Sequence, residues 1–215
     1  SINSIDNTKI NFIHCVITDK KGGIWFCPDR QLSHMYRDKN GEWEIENFKI
    51  IESKEPADIV TLYEDIYGFI WVGSLGEGVY RFNPATGKVR RFNEKTNIEE
   101  SSILSITGDG DEIWIGGFNG VSKFRIVSDG ASEKAVIVKD TLSTKRLTND
   151  YVYSVFIDSK KRIWFGTDEQ GLYYLKDGEV VNLPLNHNSV HSFTEDIYGK
   201  IWFSMPDAGL GYFYD

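Results

Sequence analysis

The chain has 215 residues, 40% hydrophobic and 14% aromatic, with a formal net charge of −8. That is enough apolar material for a sizeable core, which excludes a disordered chain. The acids are scattered and no Lys/Arg cluster occurs, which excludes a nucleic-acid surface and an anionic-membrane surface. No apolar run is long enough to span a bilayer, so direct membrane insertion is not expected. Two cysteines are too few for a disulfide scaffold or a zinc site. Neither a signal peptide nor an initiator Met marks the start, so the chain reads as processed or excised.

One stretch recurs five times: an Asp, a short turn, then a branched apolar residue and a Trp. The copies are Asp19 to Trp25, Asp65 to Trp71, a shortened Asp109 to Trp114, Asp158 to Trp164, and Asp196 to Trp202. A period in the forties marks a blade or solenoid array. Before each Asp runs a short apolar strand A: Ile13–Ile17, Ile59–Tyr63, Ile103–Thr107, Val152–Phe156 and Val190–Thr194. The Trp lies on strand B. Asp-x-x-Gly between two β-rich runs predicts a hairpin, with the carboxylate accepting turn N–H groups and Gly supplying the left-handed residue. Lys161 takes the Gly slot in repeat four, where a left-handed Lys costs ~1 kcal/mol relative to Gly.

This hairpin predicts a register. Thr61 faces Gly73, Ser105 faces Gly116, Ser154 faces Gly166, Ser192 faces Ser204 and Cys15 faces Cys27. Each of these small pairs shares a face with its Trp. On the other face Val16 meets Phe26, Leu62 meets Val72, Ile106 meets Ile115, Val155 meets Phe165 and Phe193 meets Phe203. Sheets apolar on both faces suit blades stacked around an axis.

A Gly and a third strand follow: Gly78–Phe82, Gly120–Phe124, Gly171–Leu175 and Gly209–Phe213, with Gln31-Leu32 in repeat one. A weaker fourth strand is expected at Trp43–Phe48, Val89–Phe92, Ala135–Val138 and Val180–Leu183. The stretch from Val127 to Asp150 reads as a polar excursion on the rim. The reading is an all-β β-propeller of five four-stranded blade repeats in a single domain over residues 1–215. It is either a closed five-bladed ring or part of a larger propeller. Residues 2 to 6 are the candidate for the missing outer strand of repeat five, and closure within the chain is the expectation.

The pattern V-x-S-[IVLF]-x-x-D-x-x-G-x-I-W-[FVI]-G-T-x-x-x-G-L-x-x-[FL] resembles the two-component regulator propeller repeat, over nearly the whole chain. Repeats two, four and five fit best. The resemblance implies the periplasmic sensor half of a hybrid two-component system, as in Bacteroides-type gut bacteria, with a glycan-derived ligand. Family members carry two larger propellers and a Tyr-rich β-sandwich, so these 215 residues look like a piece of such a sensor or a short relative. Expected partners are an oligosaccharide or small molecule, the rest of a sensor kinase chain, and a second copy in a homodimer.

The repeated Trp reads as core and not as a sugar platform, because large aromatics recurring in one slot dominate packing. The repeated Asp reads as a turn cap, and the acidic run Asp109 to Glu112 as a solvated turn without calcium-loop alternation. His14, His34, His187 and His191 show no metal spacing, with His187 the one available in a loop. Paired axial carboxylates of a glycosidase are not evident, since Glu64 and Glu195 lie beside the turns. No catalytic residue, metal or cofactor is expected. The alternatives are a propeller enzyme of streptogramin-lyase type or a protein-interaction propeller.

Variable B–C loops on a rigid scaffold are where binding would lie. The candidates there are Arg30, Glu77, Phe118, Asn119, Asp168, Glu169 and Asp207. Cys15 and Cys27 are expected to remain reduced thiols, filling slots that need only a small group.

Overall fold

The repeated turn closes a hairpin through a single carboxylate. The computed structural model describes residues 13–28, 30–52, 57–92, 98, 101–128, 131–132, 136–140, 147, 151–185 and 189–215. In it, Asp65 N–H donates to the Phe69 carbonyl and Gly68 N–H returns to the Asp65 carbonyl. Oδ1 of Asp65 accepts the N–H groups of Tyr67 (2.9 Å) and Phe69 (3.1 Å). Asp19, Asp158 and Asp196 cap their turns in the same way. Gly22, Gly68 and Gly199 hold the left-handed position, and Lys161 adopts it at φ 63°.

These hairpins grow into five antiparallel blades, and the fold is a five-bladed β-propeller. Blade 1 comprises β1 (Ile13–Thr18), β2 (Ile24–Pro28), β3 (Leu32–Arg37) and β4 (Trp43–Phe48). Blade 2 comprises β5 (Ile59–Glu64), β6 (Ile70–Ser74), β7 (Val79–Phe82) and β8 (Val89–Phe92). In blade 3 these are β9 (Ile103–Asp109), β10 (Glu112–Gly117), β11 (Gly120–Ser128) and β12 (Val136–Asp140). Blade 4 has β13 (Val152–Ile157), β14 (Ile163–Thr167), β15 (Leu172–Lys176) and β16 (Glu179–Leu183). Blade 5 has β17 (Ser192–Glu195), β18 (Ile201–Met205) and β19 (Gly209–Phe213), three strands among the described residues. Its proposed outer strand, residues 2 to 6, lies outside the described residues. Each first strand is innermost, and β1, β5, β9, β13 and β17 adjoin in succession.

The expected cross-strand pairs are present, from Val16–Phe26 through Leu62–Val72 to Ser192–Ser204, except that Cys15 and Cys27 fall at an irregularity of the blade 1 ladder and are not paired in it. A bulge near the start of the innermost strand in blades 1 to 4 was not foreseen; it leaves Val60, Leu104 and Tyr153 out of the ladder. The long insertion is also more than an excursion on the rim. It carries the end of β11 and the whole of β12, where Ile137 pairs with Ile126 and joins the core.

The packing rule follows from the small residue beside each Trp. A side chain at Gly73 would come within 2.7 Å of Ile103 Cγ2, so blade 3 can press against blade 2 only over a glycine. Gly116 and Gly166 play this part against Val152 and Val190. The small partners opposite them also reach across the joint. Thr61 Oγ1 accepts Ile106 N–H at 3.2 Å, and Ser105 Oγ accepts Val155 N–H at 3.0 Å. Four successive apolar clusters result, each uniting the Trp face of one blade with the opposite face of the next.

The second carboxylate oxygen of the turn Asp grips the Trp itself. Oδ2 of Asp65, Asp158 and Asp196 accepts the indole Nε1–H of Trp71, Trp164 and Trp202 at 2.8–2.9 Å. A cation completes the buried sites. Arg81 bonds Asp65 through Nε and a terminal nitrogen, and Arg162 bonds Asp158 through Nε at 2.6 Å. In blade 1, His34 takes the cation's place on Asp19 at 2.8 Å and stacks on Trp25 at 4.0 Å.

Four of the five repeat tryptophans are buried, as expected for core residues. Trp202 is the exception and is only half-buried: among the described residues no blade packs across its face as blade 5 packs across that of Trp164. The strand expected to close the seam between blades 5 and 1, residues 2 to 6, lies outside the described residues. At that seam Ile13 and Val16 are exposed on one side and Leu210 and Tyr212 on the other.

Candidate functional site

The B–C loops and the segments leading into the innermost strands form one rim, tied by backbone bonds. Leu75 N–H donates to the Asp58 carbonyl, Asp168 N–H to that of Tyr151, and Val190 N–H to that of Thr167. Short strand ends therefore hold these loops rigidly, and the side chains on them project from a fixed frame.

The structure divides the candidate residues into two groups and one outlier. Arg30 and Glu77 flank two neighbouring clefts at the joint of blades 1 and 2, of about 660 and 370 Å³, which share Lys49. Arg30 occupies a left-handed position and pairs with Asp58 at 3.1 Å. Glu77 holds Arg91 at 2.6 Å and accepts from Tyr80 Oη at 3.4 Å. Burial pushes the Tyr80 hydroxyl up, with Arg91 opposing and Glu77 adding to the rise. These charges neutralise one another within the cleft wall.

The second group lies across blades 3 to 5. Phe118 and Asn119 make the two-residue link between β10 and β11. The Phe118 ring lies 4.8 Å from that of Tyr151, and both are exposed. Tyr151 is also the residue whose carbonyl anchors Asp168, and Asp168 Oδ1 accepts from Ser189 Oγ at 2.8 Å. Burial pushes the Tyr153 hydroxyl up, helped by the charge of Asp168 and by Tyr151. Tyr153 in turn meets His191 of blade 5 with centroids 4.0 Å apart. Glu169 is exposed beside Asp168 with φ 62°. Two ring pairs, a carboxylate and a hydroxyl thus share one stretch of rim. Asp207 is exposed on the blade 5 loop, between β18 and β19.

Tyr151, Tyr153, Ser189 and His191 were not among the candidates. Tyr153 occupies the bulged slot of β13, and a bulge re-aims a side chain without leaving a mark in the sequence. The detectable signal was the match of Tyr153 and His191 at the same slot of successive repeats. His187 lies outside the described residues. Among the described residues no cluster of three His, Cys, Asp or Glu side chains is placed to hold a metal ion.

The opposite rim, made by the A–B turns, is knitted together between blades. Glu64 accepts Lys20 N–H and Glu195 accepts Ser159 N–H, each from the preceding blade. Tyr67 Oη donates to Asp111 at 2.6 Å, and Lys161 pairs with Asp109 at 2.7 Å. Glu64 and Glu195 are thus braces between turns.

Comparison with known proteins places these observations in a family context. The family model described as the two-component regulator propeller matches residues 146–169. A histidine kinase P4 of Formosa agariphila is 24% identical over 157 residues, covering 66% of this chain and 11% of that protein. The extracellular domain of a hybrid two-component system from B. thetaiotaomicron superposes with TM-score 0.68 at 17% identity, over 94% of this chain and 26% of that domain. Virginiamycin B lyase from Staphylococcus aureus superposes with TM-score 0.64 at 14% identity, over 94% of this chain and 70% of the enzyme. At these identities the superpositions speak for the shared fold. The chain spans about a tenth of the length of the kinase it matches.

Proposed function

The chain carries the two-component regulator propeller repeat, and from that premise we propose that it is a sensing segment of a two-component receptor. In this reading it lies in the periplasm, catalyses no reaction, and binds a glycan-derived ligand that the rest of a sensor kinase chain reports inward. Its similarity to a histidine kinase and to the extracellular domain of a hybrid two-component system supports the placement. No helix among the described residues is long and apolar enough to cross a membrane.

The observation that carries the ligand-binding part is the cluster of Phe118, Tyr151, Tyr153 and His191 beside Asp168 and Ser189. Exposed ring faces take the apolar face of a sugar ring, while a carboxylate and hydroxyls orient its polar edge. Asn119 and Glu169 flank this cluster. Arg30, Glu77 and Asp207 belong to the outer parts of the same rim. Calorimetric titration of the chain with a panel of oligosaccharides tests the reading. Binding that drops at least tenfold in Tyr151→Ala or Phe118→Ala is expected; binding indifferent to both variants would remove the cluster from the site.

A further inference from the structure

The carboxylates beside the rim cluster lack cations, unlike those in the rest of the molecule. Asp168 is half-buried; its Oδ1 accepts from the Ser189 hydroxyl at 2.8 Å, and its Oδ2 has no donor among the described residues. The turn carboxylates are saturated by contrast, Asp65 accepting two amides, the Trp71 indole and Arg81. Glu169 is exposed on the same loop as Asp168, and among the described residues neither forms an ion pair. Arg30 and Arg91, at the joint of blades 1 and 2, are already paired with Asp58 and Glu77.

The rings of the cluster show the same pattern. An ammonium or guanidinium is attracted to an aromatic face, and the chain uses this at other exposed rings. Arg37 lies 4.3 Å from the centre of Trp43, and Lys200 lies 5.0 and 5.7 Å from those of Tyr212 and Tyr214. Among the described residues no Lys or Arg lies over Phe118, Tyr151 or Tyr153, whose ring contacts are with each other and with His191. Asp168 is near enough for its charge to add to the burial that raises the Tyr153 hydroxyl.

We infer that the ligand of this rim is a glycan with a free amino group, an unacetylated hexosamine, whose ammonium is received beside Tyr151 and Asp168. The inference rests on the sugar-binding reading above and adds the charge class of the sugar. An ammonium satisfies both features at once, through the ring faces and through a charge-assisted hydrogen bond to the open carboxylate oxygen. A uronate or sulfate would meet acids where it needs an arginine, and like charges reject such a partner. N-acetylation removes the positive charge and with it both interactions.

Calorimetric titration with the β-1,4-linked glucosamine trimer, its fully N-acetylated counterpart and cellotriose tests this. At about pH 7 carboxylates are ionised and ordinary imidazoles mostly neutral. The glucosamine trimer is expected to bind at least about tenfold more tightly than the other two. Most of that margin should vanish between about 0.05 and 0.5 M salt. Asp168→Asn keeps an acceptor for Ser189 and should bring the three trimers to within about threefold of one another. Glu46→Gln removes the same charge from the exposed outer strand of blade 1 and should leave the margin intact. If Asp168→Asn loses its near-ultraviolet circular dichroism, Glu169→Gln takes its place and should narrow the margin. Equal binding of the three trimers that still falls in Tyr151→Ala would keep the sugar site and overturn the amino-sugar assignment. An equal loss in Glu46→Gln would trace the attraction to general acidity and overturn it as well. Failure of every trimer to bind would overturn it too, while the wider oligosaccharide panel still decides the sugar-binding reading.

Discussion

Asp65 Oδ2 and Trp71 Nε1 lie 2.9 Å apart, so the residue that closes the turn also fixes the ring that fills the joint to the next blade. Turn, indole and blade contact are one mechanical unit. The adjoining Arg81 is buried with Asp65, donating to it at 2.7 Å and to the Ser132 carbonyl at 3.1 Å.

Removing that carboxylate strands a buried guanidinium. Asp65→Ala should therefore destabilise the protein by roughly 3–5 kcal/mol, the usual result of breaking one side of a buried pair. Asp196→Ala removes the matching bond to the less buried Trp202 and should cost much less. Urea denaturation of both variants measures the contrast, and equal losses would show that the buried Arg81 pair adds nothing.

The same contrast is expected of the tryptophans. Trp164→Ala, deep in the joint of blades 4 and 5, should cost about 3–5 kcal/mol as for other large core aromatics. Trp202→Ala should cost clearly less, since Trp202 is only half-buried. Thermal and chemical unfolding midpoints give the comparison.

Acid should weaken the turns. The Trp202 indole bond holds Asp196 below the usual carboxylate value, with the amides of Lys200 and Tyr198 and the Lys200 charge helping. Burial works against ionisation of Asp19, but the Gly23 amide and His34 outweigh it. Lys160 and Arg162 hold Asp215 low. A carboxylate with a depressed folded value stabilises above its unfolded value near 3.8 and loses that contribution as pH falls through the folded value. Stability should accordingly decline below about pH 4, and Asp196→Asn should flatten the decline. An unchanged acid limb in that variant would deny the Asp196–Trp202 bond its share.

Cys15 and Cys27 are free and face each other across the first hairpin. The hydrogen bond to Cys15 pushes the Cys27 thiol up, and burial pushes it further. Thiol titration should find two groups per chain after denaturation without reductant, with Cys27 slow to alkylate in the native protein at pH 8. A count of zero would mean that a disulfide forms.

Much of the fold was legible because the Asp-turn-Trp cadence pins both ends of a hairpin. With Asp19 and Trp25 placed, the pairing of Val16 with Phe26 follows from alternation. The bond from Asp65 to Trp71 was not legible, since a spacing of six residues does not say how far a side chain reaches. Trp202 occupies the same slot as Trp164, and only the absence of a following blade among the described residues separates their burial. Of the site, Phe118 and Asp168 were found as loop residues. Tyr153 was missed because its direction depends on a bulge, and His191 because its neighbour belongs to another blade.

If the rim over blades 3 to 5 binds the ligand, hydrogen–deuterium exchange with and without an oligosaccharide should show protection at Phe118, at residues 151–153, at Asp168 and at residues 189–191, with the turns at Ile66 and Ile197 unchanged. Protection confined to those turns or to the clefts around Lys49 would place the ligand elsewhere.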